Sequence, residues 1–213
     1  MRYYIADCHF FHEALNREMD HRGFASVEEM NEYMIKRWNE KVRNRDEVVI
    51  LGDLSMGNAE QTNALLDRLQ GKLFLIVGNH DNRYLRSKIF HKERFGWIYP
   101  YAELHDDGRK VVLSHYPIAC YNGQYLKNKK GEPRTYMLYG HVHDSHDERL
   151  IEQYQQMVEK TRIPDRDGGT QSLSSHMINC FCMYSDYQPL SLDEWIALTK
   201  QRLIRCQNVE DSL

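Results

Sequence analysis

The sequence predicts an α/β fold, and two observations carry that expectation. Short apolar runs of strand length alternate with longer stretches whose apolar residues recur at helical spacing, which is the signature of strand–helix units. Five of the strand-like runs lead directly into aspartate, asparagine or histidine, four of them within one or two residues of a glycine or a serine. In open α/β sheets ligands collect outside the carboxyl ends of strands, so residues far apart in the chain can converge there.

The elements follow in order. Tyr3-Tyr-Ile-Ala6 reads as the first strand and delivers Asp7-Cys-His9. A carboxylate and an imidazole two residues apart project to one side of an extended segment, which suits chelation of one cation. His12 lies just beyond, either beside such a site or as an ordinary loop histidine. A helix begins at Ser26, with Glu29 three residues on as a capping box. Val27, Met30, Met34 and Trp38 then form an apolar stripe, with Tyr33 beside it, that belongs in a core. Val48-Val-Ile-Leu51 is the second strand and delivers Gly52-Asp53. A second helix runs from Asn58 as cap to Gln70, with Gly71 as its stop. Leu73-Phe-Leu-Ile-Val77 is the third strand, fully buried by its composition, and ends in Gly78-Asn-His-Asp81. Gly-Asn and Asp-Asn also form ordinary turns, so the recurrence of the pattern, and not this stretch alone, marks a site.

In the second half, Val111-Val-Leu113 leads to Ser114-His115-Tyr-Pro117, and Tyr136-Met-Leu-Tyr139 leads to Gly140-His-Val-His143. Residues 177–183 read as a last strand, which would place Cys180 and Cys182 on one face. Ser191 and Glu194 cap a C-terminal helix along Leu192, Trp195, Ile196 and Leu203. Between them, residues 144–176 carry no site signal. Leu150, Ile151, Tyr154, Met157 and Val158 make an amphipathic helix there, followed by a loop from Pro164 to Gly169. A helix of that length needs something to bury its apolar face.

Of the eleven histidines, His9, His80, His115, His141 and His143 fall at strand ends, whereas His21, His91, His105, His146 and His176 occur in polar stretches and read as solvated. Three carboxylates, one amide and five imidazoles exceed what one ion takes and suit two. Mixed nitrogen and oxygen ligands accept manganese, iron, zinc or nickel, and the scarcity of cysteine at these positions argues against a structural zinc site.

Composition bounds the partners. With 213 residues the chain suits one large domain over 1–213. Lys plus Arg number 28 against 31 Asp plus Glu, a net charge of −3, so no bulk attraction to nucleic acid is expected. No run approaches the ~20 apolar residues of a membrane span, and no basic-plus-apolar leader is evident. Five cysteines without a C-x-x-C pair suit thiols in a reducing compartment, and the expectation is a cytoplasmic protein acting on a small molecule, with homo-oligomerisation left open.

The set Asp7-x-His9, Gly52-Asp53, Gly78-Asn-His-Asp81, His115 and Gly140-His-x-His143 resembles the calcineurin-like metallophosphoesterase superfamily in order and rough spacing from residue 3 to 143. The resemblance implies a four-layer α-β-β-α sandwich with two mixed sheets back to back, and residues 144–176 as an insertion atypical of the family. It also implies a metal-dependent phosphoesterase with two ions. Asp7, His9, Asp53 and His143 would hold the first, and Asp53, Asn79, His115 and His141 the second, with Asp53 bridging. Two dications ~3.5–4 Å apart need such an anion between them, and a water they share loses a proton to become the nucleophile. By the same resemblance His80 would donate a hydrogen bond or proton at the transition state, and Asp81 would hold the His80 tautomer.

Departures narrow the substrate. The protein Ser/Thr phosphatases carry an arginine shortly after the Gly-Asp and a glutamate ending the third motif. Here the stretches are Gly52-Asp-Leu-Ser-Met-Gly57 and a motif ending in Asp81. The repair nucleases carry a capping domain and basic surfaces that this chain lacks. The strongest likeness is to small bacterial and phage-type phosphoesterases, which leaves phosphate monoesters and diesters both open. The alternatives are a non-catalytic metal-binding scaffold of the same fold, or a nuclease. A decayed scaffold would lack some of these side chains, and every position is filled.

Overall fold

A computed structural model describes residues 1–165 and 168–210, with side chains as far as residue 204. The first half contains β1 (Arg2–Ile5), a single-turn π-helix at Leu15–Met19, α1 (Val27–Lys41), β2 (Glu47–Ile50), α2 (Ala59–Arg68), β3 (Lys72–Ile76), the short α3 (Asn82–Leu85) and β4 (Phe95–Tyr99). These strands form one sheet in the order β1-β2-β3-β4, every pair parallel. The second half contains β5 (Tyr101–Asp106), β6 (Arg109–Ser114), β7 (Thr135–Tyr139), α4 (His146–Lys160), the hairpin of β8 (Arg162–Pro164) and β9 (Thr170–Ser172), β10 (Met177–Asn179) and α5 (Leu192–Glu210). The second sheet runs β10-β7-β6-β5, parallel except for the β5–β6 pair. The mixing expected of both sheets is therefore confined, among named strands, to the second. An isolated antiparallel bridge from Tyr4 to Leu190 adds to the edge of β1.

Alternation along each strand sorts the side chains into layers. Tyr3, Ile5, Val48, Ile50, Leu73 and Leu75 face a core shared with Met30, Met34, Trp38, Leu65 and Leu66 of α1 and α2. Tyr4, Val49, Leu51 and Ile76 face the other way, onto Val111, Leu113, Leu138 and Ile178 of the second sheet. The outer face of that sheet, with Val112, Met137, Tyr139 and Met177, is covered by Ile151 and Tyr154 of α4, with Val158 of the same helix also buried. The layers are thus helix, sheet, sheet, helix, and the segment at 144–176 supplies the outer helical layer. Leu150 and Met157, expected on its apolar face, are instead 47% and 59% exposed.

Local signals explain the boundaries. The Ser26 hydroxyl accepts from the Glu29 N–H, and Glu29 reaches back to the Ala25 N–H. Asn58 and Gln61 form a reciprocal capping box at α2, and Ser191 and Glu194 pair at the start of α5. Leu69 is already extended after α2, so Gly71 lies in the turn into β3 and not at the helix stop. The last strand ends at Asn179. Beyond it Cys180 faces the core between the sheets and Cys182 the core under α1 and α2, so the two thiols do not share a face. Of the predicted 164–169 loop, Arg166 and Asp167 lie outside the described residues. The sheets are joined where the site lies: Ala6 N–H donates to Cys180 O, and Cys182 N–H donates to Ala6 O.

Candidate metal centre at the strand ends

The loops following β1, β2, β3, β6 and β7 converge, and all seven expected ligands lie in them. The β1–β2 ladder continues past the strands, with Asp7 N–H on Gly52 O, His9 N–H on Asp53 O and Phe10 N–H on Leu54 O. Asp7, His9, Asp53, His141 and His143 all have left-handed backbones, with φ between 49° and 72°. Such a conformation costs a non-glycine residue about 1–3 kcal/mol and clusters at functional sites. A buried leucine or valine contributes ~1.5–3 kcal/mol, so the three cores can offset this strain. Close approach is enforced by glycine: a Cβ at Gly78 would lie 2.2 Å from Asp53 Oδ1, and one at Gly140 would lie 2.4 Å from Asp7 Oδ2.

Two groups of potential ligand atoms result, one from Asp7, His9 and His143, the other from Asp7, Asp53 and His115. His9 Nε2 lies 3.2 Å from His143 Nε2, and His143 Nε2 lies 3.8 Å from Asp7 Oδ1. Asp53 Oδ2 stands between the groups, 3.6 Å from His9 Nε2 and 3.5 Å from His115 Nε2. That placement suits a bridging carboxylate. Asp7 approaches His115 only through Nδ1, which is 2.8 Å from the Leu51 carbonyl and must carry the proton there. Asp7 therefore belongs with His9 and His143. Asn79 Oδ1 lies 2.9 Å from His115 Nε2 and 3.0 Å from His141 Nδ1, completing the second group.

The electrostatics fit cations. Burial, reinforced by the charges of His143 and Arg22, holds His9 well below its ordinary pKa; burial also lowers His115 and His141. These rings are neutral near pH 7 and offer lone pairs. Burial, and then the charge of Asp53, pushes Asp7 well above the usual carboxylate range. Burial raises Asp53 as well, against the N–H of His80. His9 Nδ1 is buried without a partner, and no lysine or arginine lines the cleft among the described residues. Two buried carboxylates, one amide and four imidazoles with no lysine or arginine lining the cleft among the described residues are what divalent metals satisfy.

A family model described as calcineurin-like phosphoesterase matches residues 3–195. The chain belongs to the calcineurin-like phosphoesterase family. An uncharacterized protein of Methanocaldococcus jannaschii is 31% identical over 209 residues, covering 97% of this chain and 96% of that one. The gene 66 protein of Mycobacterium phage L5 is 28% identical over 167 residues, 66% of this chain and 76% of its own. A crystal structure of a protein of unknown function from Aquifex aeolicus superposes with a TM-score of 0.63 at 22% identity, covering 93% of this chain and 98% of that one. That likeness shows the fold.

Two expectations from the sequence need correction, and two residues were missed. The Asp81 carboxylate makes its hydrogen bonds elsewhere than on the His80 ring. Its Oδ2 accepts from the N–H groups of Asp53 and Gly78, and its Oδ1 from Leu54 N–H and the Tyr84 hydroxyl. It is fully buried and clamps the β2 and β3 loops together. His80 is 43% exposed in the cleft, its N–H on Asp53 Oδ1 and its Nε2 3.9 Å from Asp53 Oδ2. His176 is not solvated: its Nε2 is buried without a partner, and burial lowers its pKa to about 4. His12 lines the cleft and accepts the Leu15 N–H. The missed residues are Asp20, bonded to His143, and Arg22, bonded to Asp20. The sequence signal was a charged pair, Asp20-His-Arg22, in a stretch without regular periodicity. The described thiols of Cys8, Cys120, Cys180 and Cys182 are all free.

Proposed function

We propose that the protein hydrolyses small phosphate esters, mono- or diesters, using two divalent metal ions held by Asp7, His9, Asp53 and His143 and by Asp53, Asn79, His115 and His141. The observation that carries this reading is the position of Asp53 Oδ2, about equally far from the histidines of the two groups. When bound, the metals would acidify an attacking water and neutralise the phosphoryl oxygens. The chain's own contributions are orientation and proton supply. His80 stands exposed beside Asp53 without belonging to either group of ligand atoms, a place from which an imidazole donates to an ester oxygen or a leaving group. Asp81 keeps the β2 and β3 loops, and hence Asp53 and Asn79, in register.

The cleft holds about 400 Å³ and is lined by Leu15, Met19, Asp144 and Ser145 besides the site residues, a size that suits a small substrate. No described helix is long and apolar enough to cross a membrane, and a cytoplasmic location accords with the free thiols. The test is a panel of mono-, di- and cyclic phosphate esters assayed with Mn²⁺. Turnover of at least one class supports the reading, and metal binding without turnover of any would favour a scaffold.

A further inference from the structure

His143 projects from a left-handed residue and stacks on Phe181, with ring centroids 4.7 Å apart. Stacking fixes the plane of the ring but not which nitrogen faces the cleft. That choice falls to a hydrogen bond at the other nitrogen. His143 Nδ1 lies 2.8 Å from Asp20 Oδ1, across 123 positions of chain. Asp20 caps the π-helix at Leu15–Met19, whose wider turn also brings Leu15 and Met19 to the cleft. Such turns recur at functional sites.

The carboxylate is itself held. Arg22 donates to Asp20 Oδ2 through Nε at 3.1 Å and Nη2 at 2.9 Å. The Arg22 side chain has no exposure, and it also donates to Cys8 O at 2.7 Å and Asp7 O at 3.1 Å. One guanidinium thus ties Asp20 to the backbone that carries Asp7 and His9. A purely structural ion pair would need only Oδ2; Oδ1 is left for the imidazole. Among the proposed ligand imidazoles, His115 has a neutral carbonyl at its outer nitrogen and His9 Nδ1 has no partner. The outer nitrogen of His143 faces a carboxylate.

We propose that Asp20 is the positioning residue for His143: its carboxylate accepts a hydrogen bond from Nδ1–H and so aims Nε2 at the first metal position. A carboxylate behind a ligating histidine fixes tautomer and orientation, and its loss costs metal affinity. This inference rests on the metal-site reading above. Arg22 serves it by holding Asp20, so its charge matters through geometry and not through contact with an ion.

The experiment is a double-mutant cycle on the full chain, read by titrating metal-free protein with Co²⁺ and following the visible absorbance of the bound ion. Asp20→Ala is expected to weaken one of two Co²⁺ affinities by about 10–100-fold and the other by less than about threefold. Asp20→Asn should fall between, because its amide oxygen still accepts from Nδ1 but carries no charge. In a His143→Ala background, Asp20→Ala should change affinity by less than about twofold, since the residue it acts through is gone. An equal loss in both backgrounds would overturn the proposal, as would a fall in the metal-free melting temperature with both affinities unchanged. If Asp20→Ala does not fold, the same cycle run with Asp20→Asn decides. A wild type that binds two Co²⁺ but cleaves no ester contradicts the proposed activity and leaves this cycle readable. A wild type that binds none overturns both.

Discussion

Asp81 and His80 are chain neighbours with opposite surroundings, and substitutions should separate their roles. Removing the Asp81 carboxylate would leave three buried N–H groups and the Tyr84 hydroxyl without their acceptor. An unpaired buried donor costs about 1–3 kcal/mol. Asp81→Ala should therefore lower stability by ~3 kcal/mol or more, read as a shift in the denaturant midpoint. A residue that only held a tautomer would lower turnover and leave that midpoint alone. His80→Ala should do the reverse, cutting kcat by about 10²–10⁴ with metal content near two ions per chain. Asp53→Asn should instead lose metal, because an uncharged bridge leaves two close dications poorly compensated. Elemental analysis of the purified variants checks this pair, and a His80 variant stripped of metal beside a fully loaded Asp53 variant would reverse the assignment.

At the level of elements, α4 is docked by a buried acid as well as by apolar contacts. Glu148 Oε2 accepts from the Tyr139 hydroxyl at 2.8 Å and from Asn179 Nδ2 at 3.0 Å. Burial raises its pKa from 4.5 to about 7, against the pull of Tyr139 and Arg202. The fold thus binds this proton more tightly than the unfolded chain does. The stability this gives is present in full below pH ~4.5 and is lost as pH rises through ~7. Wild type should lose about 2–3 kcal/mol from this group between acid and mildly alkaline pH. Glu148→Gln keeps both hydrogen bonds and should flatten that part of the profile, gaining most over wild type near pH 8. Parallel profiles in thermal melts would contradict the assignment. The sequence showed α4 as amphipathic but not which surface it covers, because the outer face of the second sheet exists only once β6, β7 and β10 have paired. β4 and β5 went unread for a different reason. Phe95-Gly-Trp-Ile-Tyr99 and Tyr101–Asp106 have strand-like aromatic content and alternation, but neither ends in a side chain that drew notice. Cys182 was misplaced because the chain turns into a 3₁₀ segment after β10, which alternation cannot foresee.

For the molecule as a whole, the convergence of the seven expected residues was legible because each lies in the loop that follows a buried strand, and parallel strands place such loops at one end of their sheet. Asp20 and Arg22 were not, since their meaning lies in a contact across 123 positions and in a π-turn without its own sequence signature. The left-handed backbones at five of the proposed ligands were equally hidden, because only glycine announces that conformation in a sequence. Cation binding links these scales: it would compensate the buried Asp7 and Asp53 and occupy the lone pairs that face one another. The central claim is therefore that activity depends on metal. The direct measurement is hydrolysis of an aryl phosphate ester by exhaustively chelated protein, with metal content measured in the same sample, before and after Mn²⁺ is restored. The account predicts no turnover in the stripped protein and recovery with about two Mn²⁺ per chain; full turnover in protein verified free of metal would contradict it.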